Sequence, residues 1–282
     1  MTPRGILTAM VTPFDAEGRV DEAAGARLMG HLLENGSDGL VVAGTTGESP
    51  TLSDDEKCAL WELAVAECGD APVIAGTGSN DTAHSIELTA RATEIGVDAV
   101  LVVCPYYNKP PPAGLKAHYE AVAAATDRPV ILYNIPGRSV IDMPNALLAE
   151  LAEIPNVSAV KQARTEDVGP IEGLDLLAGN DDSLADVLDM GGTGGITVAS
   201  NIAGPRMHAM IDEPERRQEI HAELEPLFGA MSLAASPIPL KAAMAMLGLD
   251  SGRLRLPLVE ASEEQRGEIR GALETTGLLS PV

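Results

Sequence analysis

Aromatic residues are nearly missing from this sequence: 282 residues contain 2 Phe, 4 Tyr and 1 Trp. A chain of this length buries a sizeable core, so Ala, Val, Leu and Ile must build it, and each Tyr deserves individual attention. Lysine is also scarce. Lys57, Lys109, Lys116, Lys161 and Lys241 are the only ones, and the rest of the 19 basic residues are Arg. Cys58, Cys68 and Cys104 are odd in number and lack Cys-x-x-Cys spacing, which excludes a disulfide framework and a cysteine zinc site and implies a reducing compartment. His31, His84, His118, His208 and His221 are scattered without a His-x-His or His-Glu-x-x-His pattern, so no metal site is expected.

Long apolar runs are absent as well. Nothing approaches the roughly 20 residues of a membrane span. The apolar stretch 6–11, closed by Thr12-Pro13, is too short for a signal peptide. A soluble protein of the cytoplasm is expected. Positive charge is in deficit: 42 acidic against 19 basic residues give a formal charge of −23. A chain so negative is repelled by nucleic acid and by anionic membranes, which excludes both as partners. The apolar fraction of 45% excludes disorder in spite of the charge.

What the chain does have is alternation. Short, almost continuous apolar runs at 6–11, 39–43, 73–75, 99–103, 130–133, 158–161, 174–178 and 195–198 read as eight strands covered on both faces, hence parallel. Helical patterns lie between them. Ser53 with Glu56 forms a capping box, Asn80-Asp81 offers an N-cap, and Gly96 ends the helix that follows. Asn35-Gly36-Ser37-Asp38-Gly39 is echoed by Ile95-Gly96-Val97-Asp98-Ala99, 60 residues on, or two units of 30. One βα unit has about that length, and eight make a (β/α)₈ TIM barrel. The alternative, an open doubly wound sheet, wants a Gly-rich turn after the first strand; Thr12-Pro13-Phe14 is not one. Beyond about residue 203 strand signals stop, and helices are expected over 214–228, 238–247 and 260–278. The expected organisation is a barrel over 1–213 with a C-terminal helical extension over 214–282, packed as one structural unit and suited to oligomer contacts.

Barrel catalysts place their reactive groups at the C-terminal ends of strands. Strand 6 ends at Lys161, where poor solvation lowers an amine's pKa and exposes the neutral nitrogen that Schiff-base chemistry needs. Strand 5 ends Tyr133-Asn134-Ile135-Pro136-Gly137-Arg138, joining a proton carrier to a guanidinium able to grip a carboxylate. Strand 2 ends Gly44-Thr45-Thr46-Gly47-Glu48-Ser49, rich in hydroxyls and N–H groups for a small carboxylate. Strand 4 ends Tyr106-Tyr107-Asn108-Lys109-Pro110, whose two rings point opposite ways. Singly, each has a plainer reading: a lysine snorkelling to the barrel mouth, a core tyrosine, a surface ion pair, a tight turn. Together they form one constellation. Two lookalikes fall away. Gly191-Gly192-Thr193-Gly194-Gly195 precedes a strand, whereas a nucleotide loop follows one, and Asn180-Asp181-Asp182-Ser183 reads as the N-cap of the helix after strand 7.

These segments resemble the dihydrodipicolinate synthase / N-acetylneuraminate lyase family. Val160-Lys161, Gly179-Asn180-Asp181-Asp182, Pro237-Ile238-Pro239-Leu240-Lys241 and Arg255-Leu256-Pro257-Leu258 extend the match across nearly the whole chain. The resemblance implies a (β/α)₈ barrel and class I aldolase chemistry without a cofactor. Lys161 would form a Schiff base with pyruvate, and Tyr133 would relay protons together with Thr45 and with Tyr107, which reaches in from a neighbouring subunit. Thr46 would bind the pyruvate carboxylate, Arg138 the carboxylate of the second substrate, and the backbone at Gly179 and Ile196 would line the pocket. The implied aldehyde is aspartate semialdehyde, which places the reaction in lysine and diaminopimelate biosynthesis. The alternatives are a family aldolase acting on 2-keto-3-deoxy sugar acids or N-acetylneuraminate, and a catalytically silent binding barrel. A homotetramer is usual in the family and dimers occur. Two departures stand out. Gln162 follows the lysine where Glu or Asp is usual. His84, Asp54 and Lys57 replace residues that lysine-inhibited members carry, so lysine feedback is expected to be weak or absent.

Overall fold

In the computed structural model, which describes residues 1–280, the chain closes a barrel of eight parallel strands in sequence order. They are β1 (Gly5–Ala9), β2 (Gly39–Val42), β3 (Val73–Gly76), β4 (Ala99–Val103), β5 (Val130–Asn134), β6 (Val157–Gln162), β7 (Asp175–Ala178) and β8 (Gly194–Thr197). β1 pairs with β2 on one side and β8 on the other, which closes the ring. Successive side chains alternate between the two faces of a strand. Leu7, Ala9, Val41, Ile74, Ala99, Leu101, Ile131, Tyr133, Ala159, Leu177 and Ile196 therefore meet inside the barrel as one buried cluster. The intervening residues face an outer, larger core shared with the helices. Burial on both faces explains why the strands read as unbroken apolar runs.

The helices of the outer ring are α1 (Glu22–Glu34), α2 (Asp54–Glu67), α3 (Thr82–Ile95), α4 (Pro112–Ala123), the single turn α5 (Pro136–Ser139), α6 (Asn145–Leu151), α7 (Leu184–Asp189) and α8 (Ser200–Asp212). Expected caps are present. Ser53 accepts from the Glu56 N–H while the Glu56 side chain accepts from the Ser53 N–H; Asp81 caps α3, and Gly96 ends it at φ 100°.

One unit departs from the repeat. β6 ends at Gln162 and β7 begins at Asp175 with no helix between them. Gly169-Pro170 and a left-handed Gly173 break that connection. Ile171 and Leu174, both buried and bridged to each other, cover the outer face where a helix would lie.

α8 has a break at Ala203 (φ −128°, ψ 25°), just before Gly204-Pro205. After it come α9 (Arg217–Met231), α10 (Ile238–Met246) and α11 (Glu263–Thr275). α9 packs on α8 and α11, and α10 on α11 and α8. No helix among the described residues is long and apolar enough to cross a membrane.

Candidate active site

Strand parity decides which groups share the barrel mouth. On β6, Ala159 and Lys161 face inward while Val160 and Gln162 face outward. Tyr133 on β5 is in register with Lys161. The Lys161 ammonium lies over the Tyr133 ring, 4.3 Å from its centroid, and only 4% of the residue is exposed. Burial pushes the Lys161 pKa down to about 7; the Asp181 carboxylate opposes this and the Arg138 charge adds to it. The same burial pushes the Tyr133 phenol up to about 12, with Arg138 and the Thr45 side chain pulling the other way. The site thus holds an amine that is neutral in good part near neutral pH beside a phenol that keeps its proton. That is what attack on a ketone, followed by proton transfer, requires.

Thr45 and Thr46 sit on the turn after β2. Ala43 enters that turn at φ 55°. The Glu48 N–H donates to the Thr45 carbonyl and the Ser49 N–H to the Gly44 carbonyl, both at 3.1 Å. β3 can approach only because it ends in glycine: a Cβ on Gly76 would lie 2.6 Å from the Ala43 oxygen. Thr46 is buried. Arg138 is exposed on α5, its Nη2 donating to the Ser236 carbonyl at 3.4 Å. Gly179 follows β7 and donates its N–H to the Gln162 carbonyl at 2.8 Å; a Cβ there would stand 2.7 Å from the same backbone. Ile196 lies fully buried on the inner face of β8.

A family model described as the dihydrodipicolinate synthetase family matches residues 2–276. The chain belongs to the dihydrodipicolinate synthetase family. It is 47% identical to the 4-hydroxy-tetrahydrodipicolinate synthase of Moorella thermoacetica, over 97% of this chain and 98% of that one. It is also 47% identical to the enzyme of that name from Bacillus subtilis, over 93% and 95%. Among solved structures it resembles the chloride-inhibited dihydrodipicolinate synthase of Acinetobacter baumannii complexed with pyruvate. That match has a TM-score of 0.94 at 36% identity and covers 99% of this chain and all of that one.

Within one chain the fold gathers Lys161, Tyr133 and Thr45, with Arg138 close enough to act on both titrating groups. Tyr107 is not gathered. Its residue is 85% exposed, with φ at 73°, on a loop held by the Asn108 side chain donating to the Asn80 carbonyl. Tyr106 beside it is half-buried.

Asp181 corrects the sequence reading. Its carboxylate does not cap its own helix. It accepts instead from the N–H groups of Val198 (2.8 Å) and Ala199 (3.1 Å), the turn after β8. Burial raises its pKa to about 6 against those hydrogen bonds and the pull of Lys161. Its place just past the end of β7, the strand beside β6, was the available clue. Gln162 lies on the outer face, accepting from the Asn134 side chain at 3.0 Å and the Arg164 N–H at 3.2 Å, so its side chain points away from the substrate space.

Proposed function

We propose that this protein condenses pyruvate with L-aspartate 4-semialdehyde to give 4-hydroxy-tetrahydrodipicolinate, the family activity named for its relatives, in lysine and diaminopimelate biosynthesis. The observation that carries the reading is the buried Lys161 amine set over Tyr133. Neutral Lys161 attacks the pyruvate ketone, and loss of water leaves an iminium. The iminium draws electrons from the methyl group, which loses a proton, and the resulting enamine forms the new C–C bond at the aldehyde carbon. The amine of the semialdehyde then adds to the iminium carbon, which closes the ring and releases Lys161. Tyr133 carries protons through these steps, assisted by Thr45 and by Tyr107 of a neighbouring copy. Thr46 receives the pyruvate carboxylate, Arg138 that of the semialdehyde, and the backbone of Gly179 and Ile196 lines the pocket. No step calls for a metal or other cofactor.

Pyruvate and aspartate semialdehyde are the partners, and neither nucleic acid nor membrane takes part. An exposed Tyr107 supports an assembly of copies, which we take to be a homotetramer of the cytoplasm; a dimer already satisfies the Tyr107 contribution. Borohydride reduction in the presence of pyruvate should leave one stable adduct on Lys161, located by peptide mass spectrometry. No adduct would sink the aldolase reading. Arg138 favours the semialdehyde over sugar-acid substrates, and a coupled assay across both classes checks that choice.

Lysine feedback is proposed to be weak. The Asp54 carboxylate, which could meet a cationic effector, is occupied within the chain: Lys57 donates to it at 3.3 Å and His84 lies 2.9 Å away. Burial would raise the Asp54 pKa, yet these two neighbours hold it below the ordinary carboxylate range. Strong inhibition at sub-millimolar lysine would overturn this.

A further inference from the structure

Glu48 and Lys241 take no part in the chemistry above, yet both are buried, at 1% and 0% exposure. The Lys241 ammonium lies 2.7 Å from Glu48 Oε1 and donates at 2.7 Å to the carbonyls of Thr12 and Arg253. One face of it covers the Phe14 ring. A single cation therefore ties the loop after β1, the turn after β2 and the chain beyond α10. The other Glu48 oxygen accepts from the Arg255 N–H at 3.0 Å. The Arg255 guanidinium grips Glu56 with two hydrogen bonds, reaches the Thr51 and Gly18 carbonyls and lies over Phe14 from a second direction.

These bonds converge on the turn that carries Thr45 and Thr46. Glu48 stands only two residues past Thr46, in the left-handed region (φ 57°) that residues with a Cβ rarely adopt. The Thr12 hydroxyl donates to the Gly47 carbonyl at 2.7 Å, so the same residue bonds Lys241 through its carbonyl and the turn through its side chain. Two residues of backbone, at most about 7 Å of chain, separate the pinned Glu48 from Thr46. A buried ion pair is a poor means of stabilisation, since well-packed apolar side chains do as well or better. Its value lies in fixing one geometry.

We infer, on the reading that Thr46 receives the pyruvate carboxylate, that the Glu48–Lys241 pair and the Thr12–Gly47 hydrogen bond beside it are together the positioning device of the Thr45–Thr46 turn, so that the segment from Arg253 to Arg255 sets pyruvate affinity from outside the barrel. Two substitutions in the full chain test this. Glu48→Gln keeps an acceptor for the Arg255 N–H but removes the charge facing Lys241. Thr12→Val keeps the carbonyl that Lys241 bonds and removes the hydroxyl on Gly47; it carries the test alone if the first variant does not fold. Both should raise the KM for pyruvate on the order of tenfold or more, slow borohydride trapping of pyruvate in parallel, and leave the KM for aspartate semialdehyde unchanged. In combination with Thr46→Val, Glu48→Gln should add little to the pyruvate KM, because both act through one hydroxyl. A lowered Tm with unchanged pyruvate KM and trapping rate well below that Tm would overturn the inference, as would multiplicative effects in the double variant. Absence of trapping in the unmodified enzyme would instead strike at the Schiff-base reading itself.

Discussion

At the residue scale, the role proposed for Lys161 ties reactivity and stability to one buried amine. Its folded pKa of about 7 sits below the 10.5 of a free lysine. The amine is free to attack only once it has lost its proton, so kcat/KM for pyruvate should rise with pH through about 7. The stability consequence runs in the same direction, over a higher pH window. The unfolded chain keeps the proton up to pH 10.5, so folding stability declines as pH falls from there to about 7 and is flat below. Lys161→Met should accordingly raise stability at neutral pH, on the order of 3 kcal/mol, read as a higher Tm in an inactive protein. Asp181 draws the Lys161 pKa upward, so Asp181→Asn, which still accepts from Val198 and Ala199, should move the acid limb of the pH profile to lower pH. An unmoved limb would remove Asp181 from the site's electrostatics. The meeting of Lys161, Tyr133 and Thr45 was legible in the sequence because each stands at or just past the end of a recognisable strand. Asp181 was not, because Asp before a helix has a cheaper local explanation, and only the β7–β8 neighbourhood shows that its carboxylate serves another turn.

At the scale of elements, the barrel's geometry depends on glycines where strands and turns nearly touch. Gly179→Ala would drive a methyl against the Gln162 backbone, one residue from Lys161. We expect a loss of roughly 1–3 kcal/mol in unfolding free energy and a fall in kcat of about a hundredfold from the displaced β6–β7 edge, measured by thermal denaturation and steady-state assay. At the α1–α8 contact, a Cβ on Gly204 would stand 2.0 Å from the Asn35 oxygen. Gly204→Ala should lower Tm and leave the pH profile alone, since that contact lies on the outer face. Strand positions were readable to within a residue or two because burial on both sides leaves a continuous apolar signature. The helix-free connection after β6 was not anticipated: the repeat argument assumes eight equal units, and one short, Gly- and Pro-broken unit can still be sealed by Ile171 and Leu174.

At the scale of the whole molecule, a formal charge of −23 means self-repulsion in the folded state. Adding salt from low ionic strength to ~0.15 M shortens the Debye length to about 8 Å and should raise Tm; a fall would show that local ion pairs outweigh the net charge. If Tyr107 acts across an interface, Lys161→Ala and Tyr107→Phe proteins, each nearly inactive, should regain activity when co-assembled, because one mixed pairing combines an intact Lys161 with an intact Tyr107. The Lys241 clamp also has a consequence for synthesis. Thr12 and Lys241 are 229 positions apart. A ribosome that has released all eight strands has yet to release the cation that faces Glu48, and Arg255 comes later still. The nascent barrel must hold a buried carboxylate without its partner until the last part of the chain arrives. The turn that carries Thr45 and Thr46 is therefore the last part of the barrel mouth to be clamped.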